Sequence, residues 1–166
     1  MANGTGQYLQ QVTALLYRPP AAGRQVFALS RAEAERLPAL PHVAAISITA
    51  PDKGPANLDA YPYLLRLSFA DVDFSAANLS ERAKGKLPHA FTAKQAQEVI
   101  AFISALPADV HSLVVHCEGG YSRSCAVATF AQQVYGFKAH VERLGGANPS
   151  VLALLLACAK AAPPRR

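Results

Sequence analysis

The chain has 166 residues, 51% hydrophobic and 16% charged, which suits one globular domain with its own core and excludes a disordered chain. Its longest strongly apolar run, residues 151–159, is too short for a membrane span, and the N-terminal residues lack a secretory-signal pattern. A net charge of +5 favours anionic partners without selecting among them. Three cysteines with no C-x-x-C pair argue against a disulfide framework or a zinc knuckle and favour a reducing compartment, the cytoplasm.

Strand and helix patterns alternate along the chain. Aliphatic and β-branched runs typical of buried strands occur at 25–29, 43–49, 63–69 and 112–117. Helical patterns occur at 31–36, 92–106, 123–135 and 149–161. Thr92 and Asn148 are the expected N-caps of the second and fourth helices, and Gly136 is the expected stop of the third.

This alternation predicts an α/β fold whose central, mainly parallel sheet of about four to five strands is flanked by helices. We expect a single domain over residues 1–166, with an N-terminal extension at 1–22 and a flexible tail at 162–166. Ligands of such folds bind at the carboxyl ends of the strands, so the turns that leave the strands are the place to search for a site.

The run of residues 116–124, His-Cys-Glu-Gly-Gly-Tyr-Ser-Arg-Ser, joins the last predicted strand to the next helix. At such a junction, backbone N–H groups and a helix N-terminus point at one small volume, which suits a tetrahedral oxyanion. Gly119 and Gly120 allow a tight turn, and Arg123 supplies a planar fork for two oxyanion oxygens. Cys117 lies in this positive field, which favours the nucleophilic thiolate. Together these residues predict nucleophilic attack on phosphorus.

The pattern His116-Cys117-x-x-Gly120-x-x-Arg123-Ser124 resembles the signature of the cysteine-dependent protein tyrosine phosphatase superfamily, closest in style to its compact, bacterial-type dual-specificity members. A weaker resemblance, in the order and spacing of strands and helices, extends from about residue 43 to the end. The resemblance implies a phosphate-binding loop between the last strand and the following helix. It also implies a phosphoric monoester hydrolase that works through a cysteinyl-phosphate and needs no cofactor.

The same resemblance implies a role for each residue of the signature. Cys117 would be the nucleophile, and Arg123 would hold the phosphoryl oxygens. His116 would support the ionisation and geometry of the cysteine, and Ser124 would assist the cysteine as leaving group in the second step. The remaining loop residues would bind the phosphoryl group or line the rim of its pocket: Glu118, Gly119, Gly120, Tyr121 and Ser122.

Cleavage of a phosphate ester also needs a proton for the departing oxygen, and in this family a carboxylic acid on a mobile loop provides it. Two candidates, Asp71 and Asp73, follow the third predicted strand. We choose Asp71 because it comes first after the strand, where compact relatives carry an analogous aspartate, and we keep Asp73 as the alternative acid. Either residue can instead cap a turn.

Other polar residues support weaker predictions. The segment 75–90 is longer than in the smallest relatives, and its basic cluster either is a solvated loop or contacts the anionic flank of a substrate. The members of this cluster are Arg82, Lys84 and Lys86. Cys125 is either a core residue or a thiol that traps the oxidised nucleophile as a reversible disulfide, and Cys158 is expected in the core. The other histidines lack metal-ligand spacing, so no metal is expected.

The expected substrate is a phosphorylated protein or another phosphomonoester. Glu118 and the lack of a loop lysine favour a phosphoprotein over a phosphoinositide. Phosphotyrosine is the first choice, with phosphoserine and phosphothreonine left open. Phosphate, sulfate and vanadate are expected as ligands of the loop, and no nucleic acid is expected as a partner. Two alternatives stay open: a rhodanese-like sulfurtransferase, which also carries a reactive cysteine on a strand-to-helix loop, and a non-catalytic phosphate-recognition module.

Overall fold

A computed structural model describes residues 4–141 and 146–161 of the chain. At its centre lies a five-stranded, all-parallel sheet in the order β3-β2-β4-β1-β5, which confirms the α/β prediction. The strands are β1 (Gln25–Ser30), β2 (Val43–Thr49), β3 (Tyr63–Ser68), β4 (Ser112–Cys117) and β5 (Lys138–Val141). The first four end within one residue of the predicted ranges.

The helices are α1 (Gly4–Tyr17), α2 (Arg31–Arg36), α3 (Glu81–Lys86), α4 (Ala93–Ser104), α5 (Arg123–Tyr135) and α6 (Pro149–Ala161), and a short 3-10 turn spans Leu87–His89. The predicted caps are confirmed. The Thr92 hydroxyl accepts a hydrogen bond from the Gln95 amide at the start of α4. Asn148 Oδ1 accepts from the first amides of α6, and Gly136 ends α5 in the left-handed conformation with φ 74°.

Helices cover both faces of the sheet and create two apolar layers. Helices α4, α5 and α6 contribute to one layer, and α1 and α2 contribute to the other. The stretch Gly4–Tyr17, which sequence reasoning set apart as an extension, buries Val12 and Leu16 to 1% exposure. The Tyr8 hydroxyl, also on α1, donates to the Ala28 carbonyl of β1. Helix α1 is therefore part of the domain core, whereas the predicted tail at 162–166 lies outside the described residues.

The sheet places β4 between β2 and β1, with all six of its residues buried. The loop that leaves β4 therefore emerges at the middle of the carboxyl edge, where ligands of parallel sheets bind. The loop follows the last strand that the sequence patterns predict, but it does not follow the last strand of the sheet, because β5 comes after α5 and pairs with β1. Within residues 4–141 and 146–161, no helix is long and apolar enough to cross a bilayer.

Candidate active site

The loop between β4 and α5 starts after Cys117, the last residue of β4, and ends at Arg123, the first residue of α5. Its turn depends on Gly120, whose φ is 82°. A Cβ on Gly120 would lie 2.6 Å from the carbonyl carbon of Leu29 and closer still to the amide nitrogen of Ser30. The loop thus touches the end of β1 so closely that only glycine fits at this position.

The sulfur of Cys117 lies inside this loop, within hydrogen-bond distance of one backbone amide and one hydroxyl. Cys117 is only 2% exposed. The Gly120 amide donates to its Sγ at 3.3 Å, and the fully buried hydroxyl of Ser124 lies 3.2 Å from the same atom. Donors near a sulfur stabilise negative charge on it, and the Gly120 amide is such a donor, as the Ser124 hydroxyl is when its proton points at the sulfur.

The side chain of His116, the residue before Cys117, connects β4 to β2. Its ring is fully buried: Nε2 lies 2.6 Å from the Ser47 hydroxyl, and Nδ1 lies 3.3 Å from the Cys117 carbonyl oxygen. Burial is the largest of the effects that lower the pKa of His116, so the ring is neutral at neutral pH. Sequence reasoning missed Ser47, and the available signal was a buried hydroxyl within the aliphatic run of β2.

The lowered pKa of His116 predicts acid-sensitive stability. The unfolded ring titrates near its usual value of about 6.5 and then binds more protons than the folded ring, so stability is lost as pH falls below about 6.5. Uptake of one such proton lowers the free energy of unfolding by at most about 1.4 kcal/mol per pH unit. Urea unfolding measures this effect. Between neutral and mildly acidic pH, the free energy of unfolding should fall less for His116→Gln than for the wild type. Equal losses in the two proteins would show that His116 is not a source of the effect.

Arg123 is 6% exposed and fixed against the end of β3. Its Nη1 donates to the Phe69 carbonyl at 2.8 Å, and its guanidinium carbon lies 6.0 Å from the centre of the Phe69 ring. Its Nε is buried, and no described residue accepts a hydrogen bond from it. A buried guanidinium donor without an acceptor is costly, and an anionic oxygen at the mouth of the loop is a suitable partner.

The structure separates the two candidate acids. Asp71 is half-buried and lines the same cavity as Arg123, and its Oδ1 accepts from the Ser122 hydroxyl at 2.8 Å. Asp73 instead caps a turn, with Oδ1 accepting from the Ser75 amide at 3.1 Å and from its hydroxyl at 2.6 Å. Asp73 is not among the described residues that line the cavity. The contacts therefore connect Asp71, and not Asp73, to the loop.

Asn148 is the second polar residue of the site that sequence reasoning missed. Its Oδ1 caps α6 as predicted, while its Nδ2 donates to Asp71 Oδ1 at 2.9 Å and to the Val72 carbonyl at 3.1 Å. One buried amide thus couples the start of α6 to the loop after β3. The sequence signalled only its capping role, because the contact to Asp71 joins residues that are 77 positions apart.

A cavity of about 600 Å³ opens beside the loop. Its volume falls within the range of about 300 to 1,000 Å³ that is usual for ligand sites. The lining residues are Ala50, Pro51, Asp52, Lys53, Ala70, Asp71, Arg82, Gly85, Lys86, His89, Glu118 and Arg123. Glu118 forms an ion pair with Arg31 at 3.4 Å, whereas Tyr121 is 45% exposed and does not line the cavity.

None of the three cysteines is among the described residues that line the cavity, although Glu118, the residue after Cys117, is. Cys125 is buried in the first turn of α5, and its thiol donates to the Gly120 carbonyl at 3.5 Å. Burial, followed by the nearby Cys117, raises the pKa of Cys125 to about 11, so it stays a thiol at neutral pH. Cys158 is half-buried on α6 and packs against the core. Among the described residues, no group of three or more His, Cys, Asp or Glu side chains could hold a metal ion.

One edge of the sheet thus carries a buried thiol in contact with an amide and a hydroxyl, a guanidinium with a buried Nε from which no described residue accepts a hydrogen bond, and a carboxyl group held by two side-chain donors. This set can bind a tetrahedral oxyanion, attack its central atom and transfer a proton. Comparison with protein-family models and with curated proteins finds no match for the chain.

Proposed function

We propose that the protein is a metal-independent phosphoric monoester hydrolase of the protein tyrosine phosphatase type, acting through a cysteinyl-phosphate. The observation that carries this proposal is that one loop after β4 begins at Cys117, ends at Arg123 and holds Asp71 through the Ser122 hydroxyl. The decisive test is whether the wild-type protein hydrolyses p-nitrophenyl phosphate in the presence of a metal chelator. Complete inactivity of a folded, reduced sample would refute the proposal.

In the first step, Cys117 Sγ attacks phosphorus in line with the ester oxygen. The new S–P bond forms as the bond between phosphorus and the leaving oxygen breaks, and Asp71 gives its proton to that oxygen. Arg123 and the loop amides at the N-terminus of α5 hold the equatorial oxygens, whose charge increases towards the transition state. The products of this step are the free alcohol and a phosphorylated Cys117.

In the second step, water attacks the cysteinyl-phosphate. Asp71, now a carboxylate, takes a proton from that water, and the S–P bond breaks to release inorganic phosphate. The negative charge returns to Cys117 Sγ, where the Ser124 hydroxyl at 3.2 Å and the Gly120 amide at 3.3 Å stabilise it. The contact between Ser124 and the sulfur therefore supports a role for Ser124 in the departure of the cysteine.

The choice between the two acids is tested by Asp71→Asn and Asp73→Asn. Asparagine retains an acceptor oxygen for Ser122 and Asn148 but cannot donate a carboxyl proton, so Asp71→Asn should lower kcat by about 10²-fold. The matched change at Asp73, whose carboxylate caps a turn, should alter kcat by less than about threefold. Steady-state kinetics with an aryl phosphate measures both variants, and the reverse ranking would assign the acid role to Asp73.

Asp71 also favours phosphate ester cleavage over the sulfurtransferase alternative. A departing alkoxide needs a proton donor, whereas sulfur transfer to a cysteine gives Asp71 no evident task. A thiosulfate sulfurtransferase assay separates the two activities. We propose a phosphoprotein substrate, with phosphotyrosine as the first choice, and a location in the cytoplasm, where reducing conditions keep a thiolate nucleophile active.

A further inference from the structure

The basic residues of the long segment 75–90 lie on two different faces of the short helix α3. Arg82 and Lys86, which lie four residues apart and hence on one face of the helix, line the cavity beside the loop. Lys84 does not line the cavity, and its Nζ pairs with Glu81 Oε1 at 3.2 Å. Only two of the three basic side chains therefore face the space that a substrate would occupy.

A third cation reaches the same cavity from another part of the chain. Lys53, in the segment between β2 and β3, lines the cavity together with Arg82 and Lys86. Within the described part of the chain, none of these three forms an ion pair with a carboxylate. Among their side chains, the described residues accept a hydrogen bond only from Lys86 Nζ, which donates to the Asp71 backbone carbonyl at 3.4 Å. We call Lys53, Arg82 and Lys86 the basic wall.

We propose that the basic wall is a second anion subsite, which selects phosphopeptides that carry an acidic side chain next to the phosphorylated residue. This inference rests on the proposed function, because the first anion site is the loop around Cys117. The cavity is wide enough to admit groups beside the phosphoryl group, and its unpaired cations lie on a wall that the two chemical steps do not use.

The acidic residues of the cavity favour a peptide over a small polyphosphorylated molecule. Asp52 and Glu118 line the cavity as well, and Glu118 directly follows the nucleophile. These carboxylates would repel a ligand that brings phosphate groups to every side of the cavity. In a phosphopeptide with one acidic side chain beside the phosphorylated residue, that side chain contacts the basic wall. The neutral backbone and side chains of the peptide then occupy the rest of the cavity.

The test compares two phosphotyrosine peptides of identical sequence, one with glutamate flanks and the other with glutamine flanks. The measured quantity is the ratio of kcat/KM for the glutamate peptide to kcat/KM for the glutamine peptide. We expect a ratio of about five to ten for the wild type at low salt, which falls towards one at high salt as the charges are screened. Arg82→Gln should lower the low-salt ratio to about two or less.

Lys84→Gln is the matched control, because it removes the same charge from the same exposed helix but from the side that pairs with Glu81. It should keep the wild-type ratio. A wild-type ratio of one, or an equal loss in Lys84→Gln and Arg82→Gln, would overturn the subsite. Faster turnover of an inositol polyphosphate than of either peptide, lost in Arg82→Gln, would overturn the peptide assignment.

Hydrolysis of p-nitrophenyl phosphate distinguishes failure of the subsite from failure of the proposed function. A wild type that hydrolyses this ester but shows a peptide ratio of one has the activity without the subsite. A wild type that hydrolyses neither the ester nor the peptides contradicts the proposed function, and the second anion subsite fails together with it.

Discussion

Cys117→Ser should reduce the turnover of an aryl phosphate by at least about 10³-fold, because a buried serine hydroxyl remains protonated where a thiolate attacks phosphorus. The substitution retains the shape of the side chain and an oxygen that can contact Ser124 and the Gly120 amide. The loop should therefore remain folded and still bind vanadate or phosphate. Steady-state kinetics together with a binding measurement separates loss of chemistry from loss of the site.

Cys158→Ser provides the matched control for this variant. Cys158 lies on α6, outside the loop between β4 and α5, so the same exchange of sulfur for oxygen there should leave kcat within about twofold of the wild type. Circular dichroism and thermal unfolding verify that both variants are folded. A folded Cys117→Ser protein with wild-type turnover would exclude the cysteine as nucleophile.

Gly120→Ala should reduce both stability and activity, because it distorts the loop rather than removing a reactive group. The φ of 82° is strained for alanine, and the added Cβ would collide with the backbone of β1 at Leu29 and Ser30. Because neither backbone can yield without moving the loop or the strand, we expect a loss of about 2 to 4 kcal/mol in the free energy of unfolding. Displacement of the Gly120 amide from Cys117 Sγ should also lower kcat/KM by about 10²-fold or more.

Gly136→Ala is the control that separates the two effects of Gly120→Ala, the strain of a positive φ and the collision of the added Cβ with β1. Gly136 ends α5 with a φ of 74°, close to that of Gly120, but a Cβ there meets no atom within 4 Å. This variant should lose about 1 to 2 kcal/mol of stability and keep its activity. Urea unfolding and aryl phosphate kinetics measure both effects. If Gly120→Ala and Gly136→Ala lost similar stability and activity, the close contact between the loop and β1 would not be the reason that Gly120 is needed.

The sequence predicts the sheet well because three of its strands, β1, β2 and β4, are mostly aliphatic and almost fully buried between helices on both faces, and β3 still carries an aliphatic run beside its exposed Arg66. Strand β5, with the sequence Lys-Ala-His-Val, has only four residues and no such run, so its pairing with β1 comes from the fold rather than from a local pattern. Helix α1 lies in the stretch that the sequence predicts as an extension, and the reason for the difference is similar: its burial depends on contacts of Tyr8, Val12 and Leu16 with distant parts of the chain.

The residues of the candidate site likewise fall into a group that local sequence predicts and a group that only the fold brings together. Cys117, Gly120, Arg123 and Ser124 lie within eight consecutive positions, so one loop brings them together and their spacing alone predicts the contacts among them. Ser47 and Asn148 belong to other elements, and only the order of strands and helices brings them to His116 and Asp71. Long-range polar contacts of this kind leave no periodic pattern in a sequence.

Detection of phosphate on Cys117 is the most direct test of the proposed chemistry. The Ser124→Ala variant should accumulate the intermediate, because it lacks the hydroxyl that stabilises the departing sulfur 3.2 Å away. Rapid quenching of this variant with an aryl phosphate, followed by peptide mass spectrometry, should find a phosphoryl group on the peptide that contains Cys117. Hydrolysis that proceeds in both the wild type and Ser124→Ala with no phosphate on Cys117 in either protein would contradict the cysteinyl-phosphate mechanism.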